Sequence, residues 1–444
     1  MEQTREAVMP DNNAAASEKV AESRNEQKPD KYIWAIFITL LIVSVVELYS
    51  ASSFEVKASN VFAPLVRHGM MLVVGTLLAM GISRINYRWF IPIIPMFVIF
   101  SICLMAYVLV AGEIVNGARR SVTIVGITLQ PAEFLKISAV LSIALIMSRS
   151  QTRHGVKTWG VVASALIVLL FGGMLFSQGL TNTILLMGIS VSMMLIGGIE
   201  WRKFLIVMLC YGFIAGIGLI VKLSGESERE QIEAAAIAQV KGAPMETKVD
   251  RSGTWKERIN RYIGDSIPKY DKPIDAKNRQ EMYGYMAQAR GGFFGVMPGN
   301  SRETSRLPLA FSDYIYSIVV EDLGFIGGFL LLVLYLSLLA RAGNIASRCR
   351  RAFPALLVIG MAVMIVLQAL FHMAIVTGVF PVSGQPLPLI SKGGSSILIT
   401  SIAFGIMLSV SRFATQSKVK KNETDPEAEL LPADVQAVNP TLIN

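Results

Sequence analysis

Ten apolar stretches of about twenty residues, each bounded by polar residues, punctuate this chain. They run at roughly 32–52, 64–83, 90–112, 129–150, 159–178, 180–199, 202–223, 312–341, 353–378 and 395–414. A helix of that length crosses the hydrocarbon of a bilayer with its backbone hydrogen bonds closed within the segment. The pattern predicts an all-α, polytopic membrane protein of about ten transmembrane helices. Connections between the stretches are short except for one, a large loop between the seventh and eighth. The chain divides into a tail at 1–31, helices one to seven at 32–223, the large loop at 224–311, helices eight to ten at 312–414, and a second tail at 415–444. Both tails are polar without an apolar period and read as disordered.

Composition and charge sharpen this picture. Of 444 residues 53% are hydrophobic and only 16% charged, which excludes an ordinary soluble domain. The net charge of +9 tells by its placement. Arg84 and Arg88, then Arg149, Arg153 and Lys157, then Arg202 and Lys203, then Arg341, Arg348, Arg350 and Arg351 fall in alternate connections, with Lys19, Arg24, Lys28, Lys31, Lys418, Lys420 and Lys421 in the tails. The positive-inside rule places all of these, and both termini, in the cytoplasm, so the large loop is external. The basic excess is therefore topological and implies no nucleic-acid partner. Trp34, Trp89, Trp159 and Trp201 mark the inner interface. The first stretch follows some thirty polar residues and does not read as a cleaved signal peptide. Cys103, Cys210 and Cys349 lie in or beside different spans and suggest neither disulfide nor metal cluster. Within the large loop, Glu226 to Val249 suits a surface helix, whereas Tyr283 to Leu309, rich in Gly, Pro and aromatics, is expected to fold back onto the bundle. No Walker A loop, His-Glu-x-x-His or nucleophile elbow is present, which argues against ATP-driven transport and against zinc or serine hydrolysis.

Charged residues inside apolar stretches point to chemistry, because each costs about 2.5–3.5 kcal/mol to insert. Gln130-Pro131-Ala132-Glu133-Phe134-Leu135-Lys136 puts an acid and a lysine on one helix face. Lys136 is either the structural partner of Glu133 or a cation for a substrate. Asn116-Gly117-Ala118-Arg119-Arg120 carries paired arginines that either snorkel to headgroups or form a fork for phosphate oxygens. Asp313, where the large loop enters the eighth span, suits a helix N-cap or a partly desolvated general base. The last external loop, FPVSGQPLPLISKGGSS, adds the cation Lys392 and two hydroxyls, Ser395 and Ser396, placed to cap the tenth span. His372, Glu321 and Asp322 read as hydrogen-bonded structural residues.

Five tracts in this order, NGARR, QPAEFLK, RGGFFG…GNS, LP…SDYIYSIVVEDLGFIGG and TGVFPVSGQPLPLISKGGSS, resemble the SEDS family of peptidoglycan glycosyltransferases over roughly residues 32–414. Within it they look more like the FtsW division branch, in its Bacteroidetes form, than like the RodA elongation branch. The resemblance implies a ten-helix bundle in the bacterial inner membrane, expected at the division septum, that polymerises lipid II into glycan strands and releases undecaprenyl diphosphate with inversion at the sugar. It maps the catalytic acid to Asp313 and substrate-binding positions to Arg120 and Lys136. Arg119, Glu133, Gln130, Asn116, Lys392 and Ser395, which stand in the same tracts, are the further substrate-binding candidates. It implies no cofactor beyond an optional divalent cation, Mg or Mn. The partners it implies are a class B penicillin-binding protein transpeptidase and other divisome membrane proteins. Gly324, Gly327, Gly328 and Gly360 in the eighth and ninth spans suggest either a seam for the transpeptidase's single helix or packing inside the bundle. The chain departs from the family's usual pattern at Pro308 to Asp313, at Ser121 and at Lys392. A lipid II flippase is the rival activity, but it would need access from both faces and no external base.

Overall fold

A computed structural model describes residues 28–52, 62–115, 118–124, 127–152, 155–176, 179–212, 216, 273–275, 278–307 and 310–414. Helices occupy all ten apolar stretches. They are α1 (Lys31–Ser52), α2 (Phe62–Arg84), α3 (Phe90–Ala111), α4 (Pro131–Arg149), α5 (Thr158–Phe176), α6 (Leu180–Ile196) and α7 (201–212), then, beyond the large loop, α10 (Ile315–Ala346), α11 (Ala352–Val376) and α12 (Gly394–Phe413). Eight are long and apolar enough to cross a membrane; α6 is shorter, and the continuation of α7 lies outside the described residues. Among the described residues, two further α-helices lie between α7 and α10: α8 (Arg279–Gly291) and the single turn α9 (Ala310–Asp313). The proposed helix from Glu226 to Val249 lies outside the described residues.

Burial sorts the bundle. α11 is apolar and buried nearly all round, as a central helix should be, with α4 and α12 packed beside it. The outer helices α2, α3 and α10 turn large apolar side chains outward, Met70, Met96 and Phe329 among them. At the start of their helices Trp89, Trp159 and Trp201 are exposed, as interfacial anchors are. One connection is not a simple loop. Between α3 and α4 the chain folds into a three-stranded antiparallel sheet, β1 (Glu113–Val115), β2 (Ala118–Ile124) and β3 (Ile127–Leu129), paired as Ile114↔Arg119 and Val122↔Leu129.

α10 is broken at Gly324, whose φ of 71° and ψ of −175° are non-helical. The break is filled by the segment after α8. Val296 and Met297 amides donate to the Glu321 and Asp322 carbonyls at 2.9 Å, while Phe325 and Ile326 amides donate to Gly292 and Phe293. Such close backbone contact needs glycine: a Cβ on Gly324 would meet the Phe293 carbonyl oxygen at 2.4 Å, and one on Gly295 the Asp322 oxygen at 2.2 Å. α8 and the segment after it therefore fold back onto the bundle.

Two of the four glycines of the seam expected from the sequence, Gly360 and Gly324, are occupied from within. A Cβ on Gly360 would meet Met193 and Val140 of the interior, Gly324 faces the docked segment, and Gly327 and Gly328 face side chains of α10 itself. α1, α10 and α12 are clasped at the opposite end. Arg341 binds both oxygens of Asp30, whose amide donates to Ser411 and whose carboxylate accepts from the Tyr32 and Ile33 amides at the start of α1.

Candidate active site

The site is organised by the loop between α11 and α12, which dips between the helices and buries Leu387, Leu389 and Ile390. Irregular backbone at that depth survives only if its carbonyls find donors. Side chains supply them. His372 Nδ1 donates to Gln385 O at 2.6 Å, Gln368 Nε2 to Pro386 O at 3.3 Å, Tyr335 OH to Pro388 O at 2.6 Å, and Ser44 Oγ to Ile390 O at 3.4 Å. Gln385 Nε2 in turn donates to Asn182 Oδ1 at 3.0 Å. Donors from α1, α10 and α11, with an acceptor on α6, thus fix the path of one loop. The sequence reading of His372 as a hydrogen-bonded packing residue agrees with this.

Asp313 sits on that loop's surface. It ends α9, it is half-buried, and its Oδ1 accepts from Ser312 Oγ at 2.9 Å. The N-cap position of α10 is Tyr314, so Asp313 stands one residue before it. Three contacts sew α9 to the loop: Ser391 Oγ to Ser312 O at 2.7 Å, the Lys392 amide to Phe311 O at 2.8 Å, and the Lys392 ammonium 4.2 Å from the Phe311 ring centroid. Gly384 lies against the carboxylate itself.

On the other side of the loop Lys136 and Glu133 form a buried ion pair. Lys136 Nζ donates to Glu133 Oε1 at 2.8 Å and to Gln368 Oε1 at 2.9 Å, and Lys136 is 0% exposed. Gln368 thus joins the pair to Pro386, two residues from Gly384. In this structure Lys136 is enclosed and paired with Glu133 and Gln368, as its structural reading describes. Gln130 and Ser395 also meet, the Gln130 amide donating to Ser395 Oγ at 3.2 Å. That corrects the expected capping role of Ser395 or Ser396: the N-cap of α12 is Gly393 and it carries no side-chain capping bond. Arg119 and Arg120 lie on β2, with side chains outside the described residues, and Asn116 is itself outside them.

The structure thus gathers Asp313, Lys392, Gln130, Ser395, Glu133 and Lys136 around one loop. It adds Gln368, Gly384, Gln385 and Ser391, which sequence reasoning missed. Gln368 alone gave a signal, as an amide one helical turn before His372 on an apolar helix. Among the described residues no group of three or more His, Cys, Asp or Glu side chains forms a metal centre. A half-buried carboxylate held beside a rigid loop can accept a proton from a hydroxyl presented to it.

Comparison with known proteins gives the family and the fold. The sequence model of the FtsW/RodA/SpoVE family, described as Cell cycle protein, matches residues 30–416. The chain is 29% identical over 410 residues to a probable peptidoglycan glycosyltransferase FtsW of Halomonas elongata, covering 89% of this chain and 94% of that one. It is 30% identical to the protein of the same name from Trichlorobacter lovleyi, covering 86% and 93%. In fold it is similar to the rod shape determining protein RodA of Thermus thermophilus, with a TM-score of 0.60 at 21% identity over 88% of this chain and all of that one. A chain of a peptidoglycan synthase complex gives a TM-score of 0.63 at 22% identity over 86% and 98%. With a family match running over residues 30–416, from the first described helix to the last, this chain belongs to the FtsW/RodA/SpoVE family.

Proposed function

We propose that this protein is a peptidoglycan glycosyltransferase that polymerises lipid II during septal wall synthesis, working from the inner membrane with both termini in the cytoplasm. The carrying observation is Asp313, a half-buried carboxylate fixed beside Gly384 at the end of the bundle where the large loop enters. Family membership and relatives named as peptidoglycan glycosyltransferases support the reading.

In the proposed step a sugar hydroxyl of one lipid II attacks the anomeric carbon of another. Asp313 takes the hydroxyl proton as the new C–O bond forms, the bond to the diphosphate breaks, and undecaprenyl diphosphate leaves with inversion at carbon. A diphosphate whose charge is matched by cations leaves without a second carboxylic acid, so one base suffices. Arg120 and Arg119 on β2 suit that role by their planar donors, and Lys392 lies on the loop beside Asp313. Lys136 reaches the diphosphate only if Glu133 and Gln368 release it. A divalent cation, Mg or Mn, would supplement these charges.

A class B penicillin-binding protein transpeptidase is the proposed partner, supported by the similar fold of a chain from a complex that coordinates polymerization and crosslinking. Incubating purified protein with purified lipid II, alone and with that partner, tests the function. Long glycan from the wild type and none from Asp313→Asn is the expected result; undiminished polymer from Asp313→Asn would remove the base.

A further inference from the structure

Leu389 has a φ of 65° although it is not glycine, and its side chain is fully buried. A leucine in the left-handed region is strained, and it stays there only where its surroundings over-determine the backbone; such strain gathers at functional sites. Here a tight turn from Leu387 to Ser391 does the holding. The Leu387 carbonyl accepts from the Ile390 amide at 3.2 Å and the Ser391 amide at 3.0 Å, while the Leu387 amide donates to Ser391 Oγ at 2.7 Å.

The same hydroxyl reaches out of the turn. Ser391 Oγ donates its hydrogen to Ser312 O at 2.7 Å, so it accepts from the loop and donates to α9. Ser391 is 1% exposed, and bulk water does not compete for either bond. The carbonyl it holds belongs to the peptide that leads into Asp313, and the Ser312 hydroxyl donates to Asp313 Oδ1 at 2.9 Å. At the other end of the loop Gly384 lies against the carboxylate, next to Gln385, whose carbonyl His372 Nδ1 holds at 2.6 Å. Asp313 is thus gripped by the start and the end of one loop. The Lys392 amide also bonds α9, at Phe311 O, but that bond orders a residue one place further from Asp313 than Ser312.

We infer that Ser391 is a positioning residue for Asp313: one buried hydroxyl closes the strained Leu387–Ser391 turn and holds the carbonyl of Ser312. It acts through the backbone before Asp313 and not on the substrate, and its catalytic consequence rests on the reading of Asp313 as the base. Loss of the hydroxyl removes both bonds together. The turn loses its side-chain lock, and the peptide leading into Asp313 is released. A reacting group misplaced by about 1 Å can cost about a hundredfold in rate. The arginines of β2 lie outside the turn, so the loss falls on kcat more than on KM.

The test measures lipid II polymerisation by purified full-length wild type, Ser391→Ala and Ser391→Cys, and amide hydrogen exchange at residues 311–314 on the same preparations. Ser391→Ala should lower kcat about ten- to a hundredfold with KM changed by less than about threefold. Its exchange at 311–314 should quicken by about fivefold or more. Ser391→Cys keeps the volume and a weaker donor, so it should fall between the two, and it carries the test if Ser391→Ala does not fold. Ser409→Ala is the control for losing a buried serine of α12: that hydroxyl bonds Ile85 O at 2.6 Å. Its kcat should stay within about twofold of wild type. Wild-type kcat in both Ser391 variants would overturn the inference, as would an equal loss of kcat in Ser409→Ala. A wild type that makes no glycan strikes the proposed reaction instead, and exchange then decides for Ser391. Faster exchange at 311–314 in its variants upholds the link to Asp313, and unchanged exchange overturns it.

Discussion

The carboxylate of Asp313 rests against the Cα of Gly384: a Cβ built on that glycine would lie 2.9 Å from Oδ2 and 3.4 Å from Cγ. The obstructing atoms are the tip of a side chain, so Gly384→Ala should move the carboxylate and leave the fold standing. Polymerisation should fall at least about tenfold, against a loss of about a hundred- to ten-thousand-fold for Asp313→Asn. Melting temperature and glycan yield measured on the same preparations separate the two effects. A fully active Gly384→Ala would show that the contact does not set the position of the base.

Lys136→Met leaves Glu133 buried without its cation, a change that typically costs about 3–5 kcal/mol. Adding Glu133→Gln removes the orphaned charge, and most of the stability should return. Activity then decides between the two roles of Lys136. On the proposed function, the stable double variant should still polymerise lipid II poorly; recovery of full activity would confine Lys136 to its structural bond.

Gly324→Ala and Gly295→Ala should each destabilise the protein, because both glycines have positive φ and would press a Cβ against backbone oxygen. The backbone strain alone is worth about 1–3 kcal/mol before the clash is counted. Gly69→Ala is the control, since a Cβ there meets nothing within 4 Å. Equal thermal stability of all three would contradict the docking of the segment after α8.

At the other end of the bundle, Arg341→Gln should loosen α1 from α10. The bidentate pair with Asp30 is only partly exposed, and charge-assisted bonds of this kind contribute about 1.5–3 kcal/mol. A double-mutant cycle with Asp30→Asn should recover a coupling energy in that range. Zero coupling would reduce the clasp to a surface pair.

For the partner, α10 is the helix to probe, because α11 is buried nearly all round and has little outward face to offer. Photocrosslinking residues at Phe325, Phe329 and Leu336, all exposed on α10, should capture the transpeptidase. Capture only from α2 or α3 would move the seam.

Much of this architecture was legible in the chain. The ten helices follow from runs of apolar residues, a local property, and Asp313 stood out as an acid at a span boundary. Features made by distant residues were not legible. Gln368 gains its meaning only when α11 packs on α4, 232 residues away in sequence from Lys136. Gly324 read as a small residue for helix packing, because nothing around it in sequence announces a segment some thirty residues earlier that supplies its hydrogen bonds. The strands from Glu113 to Leu129 escaped for a different reason: two of them are three residues long, too short to show an alternating pattern.

The break at Gly324 divides α10 into a short upper piece that follows Asp313 directly and a long lower rod that crosses the bundle. A continuous helix would behave as a lever, carrying any tilt of its lower part to its upper end. Here the rungs at the joint are exchanged with another segment, so the upper piece takes its bearing from residues 292–297 as much as from the rod. Lateral movement of α10, such as a neighbouring helix pressing on Phe329 or Leu336 would cause, is thereby absorbed at a hinge before it reaches the carboxylate. A membrane protein that must shift among its neighbours can in this way keep one acid still.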